Sequence, residues 1–172
     1  MRVDPPEPIL QIAVIGAASA DATLAATAEA VGRRLAERGA VVVSGGRGGV
    51  MAAASRGARQ AGGRAVGILP GADAEASPPN PDLDTVIFTG LGQARNLCVV
   101  LSGAVVIAIG GGWGTLSEIA LARKHGIPVV TLDGWTLDVP EGQEPLAQAE
   151  NAEAAVDLAL DLAHQRRATP AP

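Results

Sequence analysis

A strand that runs straight into a glycine loop and then into a helix leaves a chain few architectures to adopt. Between Ala104 and Gly126 the sequence reads AVVIAIGGGWGTLSEIALARKHG. The apolar run Ala104–Ile109 has the character of a buried strand, and Gly110, Gly111, Gly112 and Gly114 follow it around Trp113. Thr115 then opens a segment of helical apolar periodicity that closes at His125-Gly126. The first turn of a helix exposes unpaired N–H groups and a partial positive charge, which suits an anion such as phosphate. Glycine there lets the backbone approach a ligand with no Cβ in the way. The stretch predicts a loop that holds the phosphate of a nucleotide.

The same grammar recurs along the chain. Ile9–Ile15 reads as a first strand, ending at Gly16 and the turn AASAD, where Ser19 or Asp21 is placed to cap a helix carrying Leu24, Ala28, Val31 and Leu35. Ala40–Val43 runs into Ser44-Gly45-Gly46-Arg47-Gly48-Gly49 and a helix from near Val50. Ala65–Leu69 is a third strand, and Ala72–Asp84, broken by Pro78, Pro79 and Pro81, is a surface loop. Thr85–Phe88 is a short strand, and Gly90-Leu91-Gly92 leads into a helix with Arg95, Asn96 and Cys98. Pro128–Leu132 closes the core, and a polar loop to Glu150 precedes a helix striped by Val156, Ala159, Leu160 and Ala163. Strands alternating with helices predict a Rossmann-like, doubly wound parallel sheet of about six to seven strands flanked by helices. Ligands of such sheets bind beyond the carboxyl ends of the strands, where the glycine-rich turns fall. The near absence of aromatics (Phe88, Trp113, Trp135) leaves the core to Val, Ile, Leu and Ala. One domain is expected over residues 9–165, between a flexible arm at 1–8 and a flexible tail at 166–172.

Several function classes are excluded. A net charge of −5 argues against nucleic-acid and anionic-membrane partners. One cysteine and two histidines give neither a disulfide nor a metal cluster, so no metal is expected. The N-terminus MRVDPPEP lacks an apolar signal core, which makes the cytoplasm the default location. The P-loop pattern is missing, and Lys124, the sole lysine, is far from any such loop. The turn after the first strand reads GAASAD rather than GxGxxG, and Ser44 stands where a dinucleotide fold needs an acidic residue, which excludes NAD and FAD.

Three ordered motifs resemble the Rossmann-like LOG family, phosphoribohydrolases acting on cytokinin riboside 5'-monophosphates and long mislabelled as lysine decarboxylases. The family hallmark PGGxGTxxE is matched by Gly110–Glu118, GGGWGTLSE, with Gly110 in place of the proline. GGxxGLM is matched by Gly45–Met51, and ViGIxP by Val66–Pro70. One departure stands out: where the family carries an Arg-Lys pair, this chain has Arg95-Asn96. In that respect it is closer to a sister branch similar to the plant and algal molybdenum-cofactor carrier proteins, which bind a phosphorylated pterin without turning it over.

The resemblance implies two readings. In the first, the protein hydrolyses the N-glycosidic bond of a nucleoside 5'-monophosphate, releasing free base and ribose 5-phosphate. In the second, it is a non-catalytic carrier of a phosphorylated ligand such as the molybdenum cofactor. Neither requires a cofactor of its own, and both imply a homodimer or larger homo-oligomer. As ligand contacts the readings place Gly16, Ser19, Gly45, Gly46, Arg95, Asn96, Gly111, Gly112, Trp113, Gly114 and Thr115. Glu118 and Arg95 are the catalytic candidates, the carboxylate supporting positive charge at the ribose C1'.

Plainer readings stand beside these. Thr115-Leu116-Ser117-Glu118 is also a capping box, in which the glutamate bonds back to the helix start. Arg95 alone reads as a solvent-facing helix residue, and Arg47 as an exposed turn residue or an anion contact. Trp113 suits stacking on a base or pterin, or covering by a second subunit. Cys98 reads as core. Lys124 and His125 read as C-terminal complements of the helix dipole, capped by Gly126. The decarboxylase label fails on Lys124, because a pyridoxal enzyme needs its lysine at the cofactor.

Overall fold

The structure, a computed structural model, describes residues 9–168. The expected arm at 1–8 and the end of the expected tail, 169–172, lie outside the described residues. Seven strands make one sheet: β1 (Gln11–Gly16), β2 (Val41–Ser44), β3 (Ala65–Leu69), β4 (Thr85–Phe88), β5 (Val105–Ile109), β6 (Val129–Leu132) and β7 (Ala147–Ala149). Their order is β4-β3-β2-β1-β5-β6-β7, with every pairing parallel. The direction of winding reverses between β1 and β5, the position at which such sheets open a crevice for ligand.

β1 and β5 are buried on both faces because helices cover each side. Successive side chains on a strand point to opposite faces. Ile12, Val14, Ile107 and Ile109 therefore meet α1 (Ala22–Glu37), α2 (Val50–Gln60) and α5 (Ala152–Ala168). Ala13, Ile15, Val106 and Ala108 meet α3 (Arg95–Ser102) and α4 (Trp113–Lys124) on the other side. Partly buried Cys98 packs into this second layer. At the start of α1, Asp21 rather than Ser19 caps the helix, its Oδ1 accepting the Leu24 N–H at 2.8 Å.

Two departures from the sequence reading have local causes, while the proline-rich stretch is a loop as expected. β7 lies inside the expected polar loop. Its three residues, Ala-Gln-Ala, are too few and too small to give an alternating pattern, and pairing with Val130–Leu132 supplies the strand. α5 continues through Ala168, so residues 166–168 are helix rather than tail, with Arg166 Nη1 donating to the Ala104 carbonyl at 3.0 Å. The proline-rich loop is held by its own turns and braces the β2–α2 glycine loop. Asp73 Oδ1 accepts from the Glu75 and Ala76 N–H groups, and the Asn80 N–H donates to the Gly46 carbonyl at 2.9 Å.

Candidate phosphate-binding site

Loops leaving the carboxyl ends of β1, β2 and β5 enclose a cavity of about 440 Å³. Gly16, Ala17 and Ala18 wall it from the β1–α1 turn, and Gly45, Arg47 and Gly48 from the β2–α2 loop, with Met51 of α2 behind them. Gly112, Gly114, Thr115 and Glu118 enter from the start of α4. Gln93, Arg95 and Asn96 come from the 3₁₀ turn Gly92–Ala94 and the first residues of α3. Eight of the residues singled out from sequence thus share one cavity: Gly16, Gly45, Arg95, Asn96, Gly112, Gly114, Thr115 and Glu118.

The other four stand apart from its lining. Ser19 is exposed in the β1–α1 turn. Gly46 lies beneath the second glycine loop, its N–H donating to Ser44 Oγ at 3.2 Å. Gly111 shapes the loop from behind. It has φ +103°, and a Cβ there would collide with the Thr115 side chain, so the turn folds onto its own helix only with glycine. Trp113 points outward at 79% exposure, its ring 5.5 Å from that of Trp135 and tilted by 43°. Sequence reasoning missed Met51 and Gln93, although Met51 ends the GGxxGLM motif and Gln93 stands two residues before Arg95.

The start of α4 corrects the capping-box reading. The helix begins at Trp113, two residues before the expected opening at Thr115, and its N-cap is Gly112 with no side-chain cap. Thr115 is the third helical residue and buried, and Ser117 Oγ donates to the Gly114 carbonyl at 2.7 Å. Glu118 is therefore one turn too far along to bond back to the helix start. Its side chain points into the cavity instead, and the first-turn N–H groups are left without an intrahelical partner. At the other end of α4, His125 is the C-cap and Gly126 follows at φ +67°, as expected. Lys124 closes that same end, about 16 Å from Trp113 at 1.5 Å per residue.

Arg95 and Glu118 dominate the electrostatics. Arg95 is 6% exposed, so the reading of it as a solvent-facing residue does not hold. Its Nη1 donates to Asn96 Oδ1 at 2.7 Å and stands 3.9 Å from Glu118 Oε1, while its buried Nε has no partner. Burial lowers the guanidinium's proton affinity, Glu118 opposes that, and Arg47 adds to it. Burial pushes the Glu118 carboxyl up to about 7, against the pull of Arg95. Gly45 leaves room for the guanidinium, since a Cβ there would lie 2.8–2.9 Å from its Nη atoms. A buried cation with an unused N–H, facing uncapped helix N–H groups across a glycine-walled cavity, has the chemistry to receive an anion.

Among the described residues no helix is long and apolar enough to cross a membrane. The chain is similar to several proteins over most of its length. It is 44% identical over 124 residues to an uncharacterised protein of Archaeoglobus fulgidus, which covers 72% of this chain and 80% of that one. The molybdenum cofactor binding protein of Rippkaea orientalis superposes with a TM-score of 0.80 at 37% identity, covering 91% of this chain and 98% of its own. The molybdenum cofactor carrier protein of Chlamydomonas reinhardtii gives 0.79 at 33% identity, with 90% and 98% covered. The model of one family matches residues 9–164, and the chain belongs to that family, the SLOG cluster4 family.

Proposed function

We propose that this protein is a cytoplasmic carrier that binds a phosphorylated small molecule without turning it over, the molybdenum cofactor being the leading cargo. The observation that carries the reading is Arg95, a buried guanidinium with an unpartnered Nε beside the uncapped start of α4. The cavity, at about 440 Å³, is of the size that small-molecule sites have. Arg95 and the α4 N–H groups would hold the phosphate, with Gly16 and Gly45 giving the backbone close approach. Similarity to two molybdenum-cofactor-binding proteins over nine-tenths of the chain supports this cargo. So does Asn96, which stands where the hydrolytic LOG enzymes carry lysine.

Glu118 favours a second reading, the phosphoribohydrolase. A carboxyl poised at about 7 inside the cavity is suited to protonating a departing base. One experiment separates the two. The protein is incubated with AMP and with isolated molybdenum cofactor, and free base and co-eluting molybdenum are measured. The carrier reading expects molybdenum to co-elute with wild type, to be lost from Arg95→Ala, and no base to appear. Base release abolished by Glu118→Gln would replace it with the hydrolase. Pairing of copies on the α3 side, where Leu91, Leu101 and Ile87 are 45–54% exposed, is also proposed, and sedimentation at a monomer mass would refute it.

A further inference from the structure

The buried trio Arg95, Asn96 and Glu118 has an arrangement that anion binding alone does not require. Arg95 Nη1 lies close enough to Asn96 Oδ1 for a strong hydrogen bond, 2.7 Å, yet 3.9 Å from Glu118 Oε1. The nitrogen nearest the carboxylate is thus engaged by a neutral neighbour, and the Glu118 carboxyl makes no hydrogen bond among the described residues. The charged group acting on it is Arg95 on α3, and Arg47 of the β2–α2 loop acts on Arg95 from the lining of the same cavity. The β1–α1 turn and α2 contribute Gly16, Ala17, Ala18 and Met51 to the same cavity, all uncharged.

We propose that Asn96 is a positioning residue that holds Arg95 away from Glu118, so that a phosphate ligand is captured together with one proton on Glu118. The inference rests on the anion-binding reading of the cavity. A phosphate dianion is balanced by Arg95 and Arg47, whereas an ionised Glu118 would add a third negative charge where little water screens it. The proton comes from solvent and stays bonded to the carboxyl, whose O–H makes a hydrogen bond to a phosphate oxygen. Capture is then strongest near neutrality, and affinity falls about tenfold per pH unit as the medium becomes alkaline. Raising the pH releases the ligand.

The test has two arms. First, Glu118 is titrated in the ligand-free protein by ¹³C-carboxyl NMR, its signal assigned with Glu118→Gln. Wild type is expected to titrate near neutrality. Asn96→Ala frees Arg95 to close on Glu118 and lowers the midpoint by about one pH unit or more. Asn96→Asp adds a like charge and raises it. Loss of packing alone would not move the two variants in opposite directions. A wild-type midpoint in the ordinary carboxylate range, or one unmoved by both variants, overturns the role of Asn96. Second, binding of AMP and of inorganic phosphate is measured by calorimetry in buffers of different ionisation heat. Wild type at pH about 8.5 is expected to take up close to one proton per AMP, and Glu118→Gln close to none. Binding without proton uptake overturns the coupling. Failure of AMP and inorganic phosphate to bind at all overturns the anion-site reading, while the ligand-free titration still decides the part played by Asn96.

Discussion

Replacing Glu118 by glutamine should remove a pH dependence of stability whose sign and size follow from the site. Glu118 is nearly buried, its side chain 12% exposed, and burial raises its carboxyl from an ordinary 4.5 to about 7 despite Arg95. Below pH 4.5 the carboxyl is protonated in both folded and unfolded chains and contributes no pH dependence. Between 4.5 and 7 the unfolded chain ionises freely while the folded chain keeps its proton, so the unfolded state is favoured as pH rises. Above 7 both are ionised and the cost levels off. At about 1.4 kcal/mol per pH unit, the interval amounts to about 3 kcal/mol lost by wild type. Glutamine has nearly the same shape and never ionises. Whatever constant offset it introduces, the stability of the variant minus that of wild type should climb by about 3 kcal/mol from pH 4.5 to 8. Urea unfolding measures this directly: with a slope of about 2 kcal/mol per molar, the gap between midpoints should widen by more than about 1 M. A flat difference curve would refute the reasoning. A curve that falls would go further, because it would mean that Glu118 is ionised and paired with Arg95 in the folded protein.

Two further substitutions probe the cavity and its rim. Gly45→Ala should cost less than about 2 kcal/mol, since the atoms nearest its Cβ are the side-chain ends of Arg95 and Met51. AMP affinity measured by calorimetry should nevertheless drop at least about tenfold as the guanidinium is displaced, and unchanged affinity would remove Arg95 from the site. Trp113→Ala should alter stability by no more than about 0.5 kcal/mol because the indole is 79% exposed, while removing the emission most accessible to acrylamide. A large loss of stability in thermal unfolding would show that the Trp113–Trp135 contact supports the fold.

The fold was legible because its signal repeats. Strands at Gln11–Gly16, Val41–Ser44 and Val105–Ile109 each end in glycine or small residues before a helix, and that grammar implies a parallel sheet with its ligand edge on the turns. β7 was not legible, because Ala147–Ala149 becomes a strand through its pairing with β6 and not through its own composition. The start of α4 was misplaced for a related reason. Trp113 and Gly114 look like loop, and only the packing of Thr115 against Gly111 shows that the helix has already begun.

Two residues of error at that helix start decide what Glu118 can do. Opened at Thr115, the helix would use the glutamate as a cap, bonded back to the helix start beside the glycine loop. Opened at Trp113, the same residue stands at the sixth helical position, facing Arg95 across the cavity. Its proton affinity is then set by burial and by whether Arg95 is free to approach, and Asn96 controls that approach from a segment outside the glycine motif. On the proposed reading, the motif GGGWGTLSE specifies where an anion is received. The protonation of its glutamate is specified by α3, so chains that share the motif but differ at the position of Asn96 should differ in the pH at which they let go of their ligand.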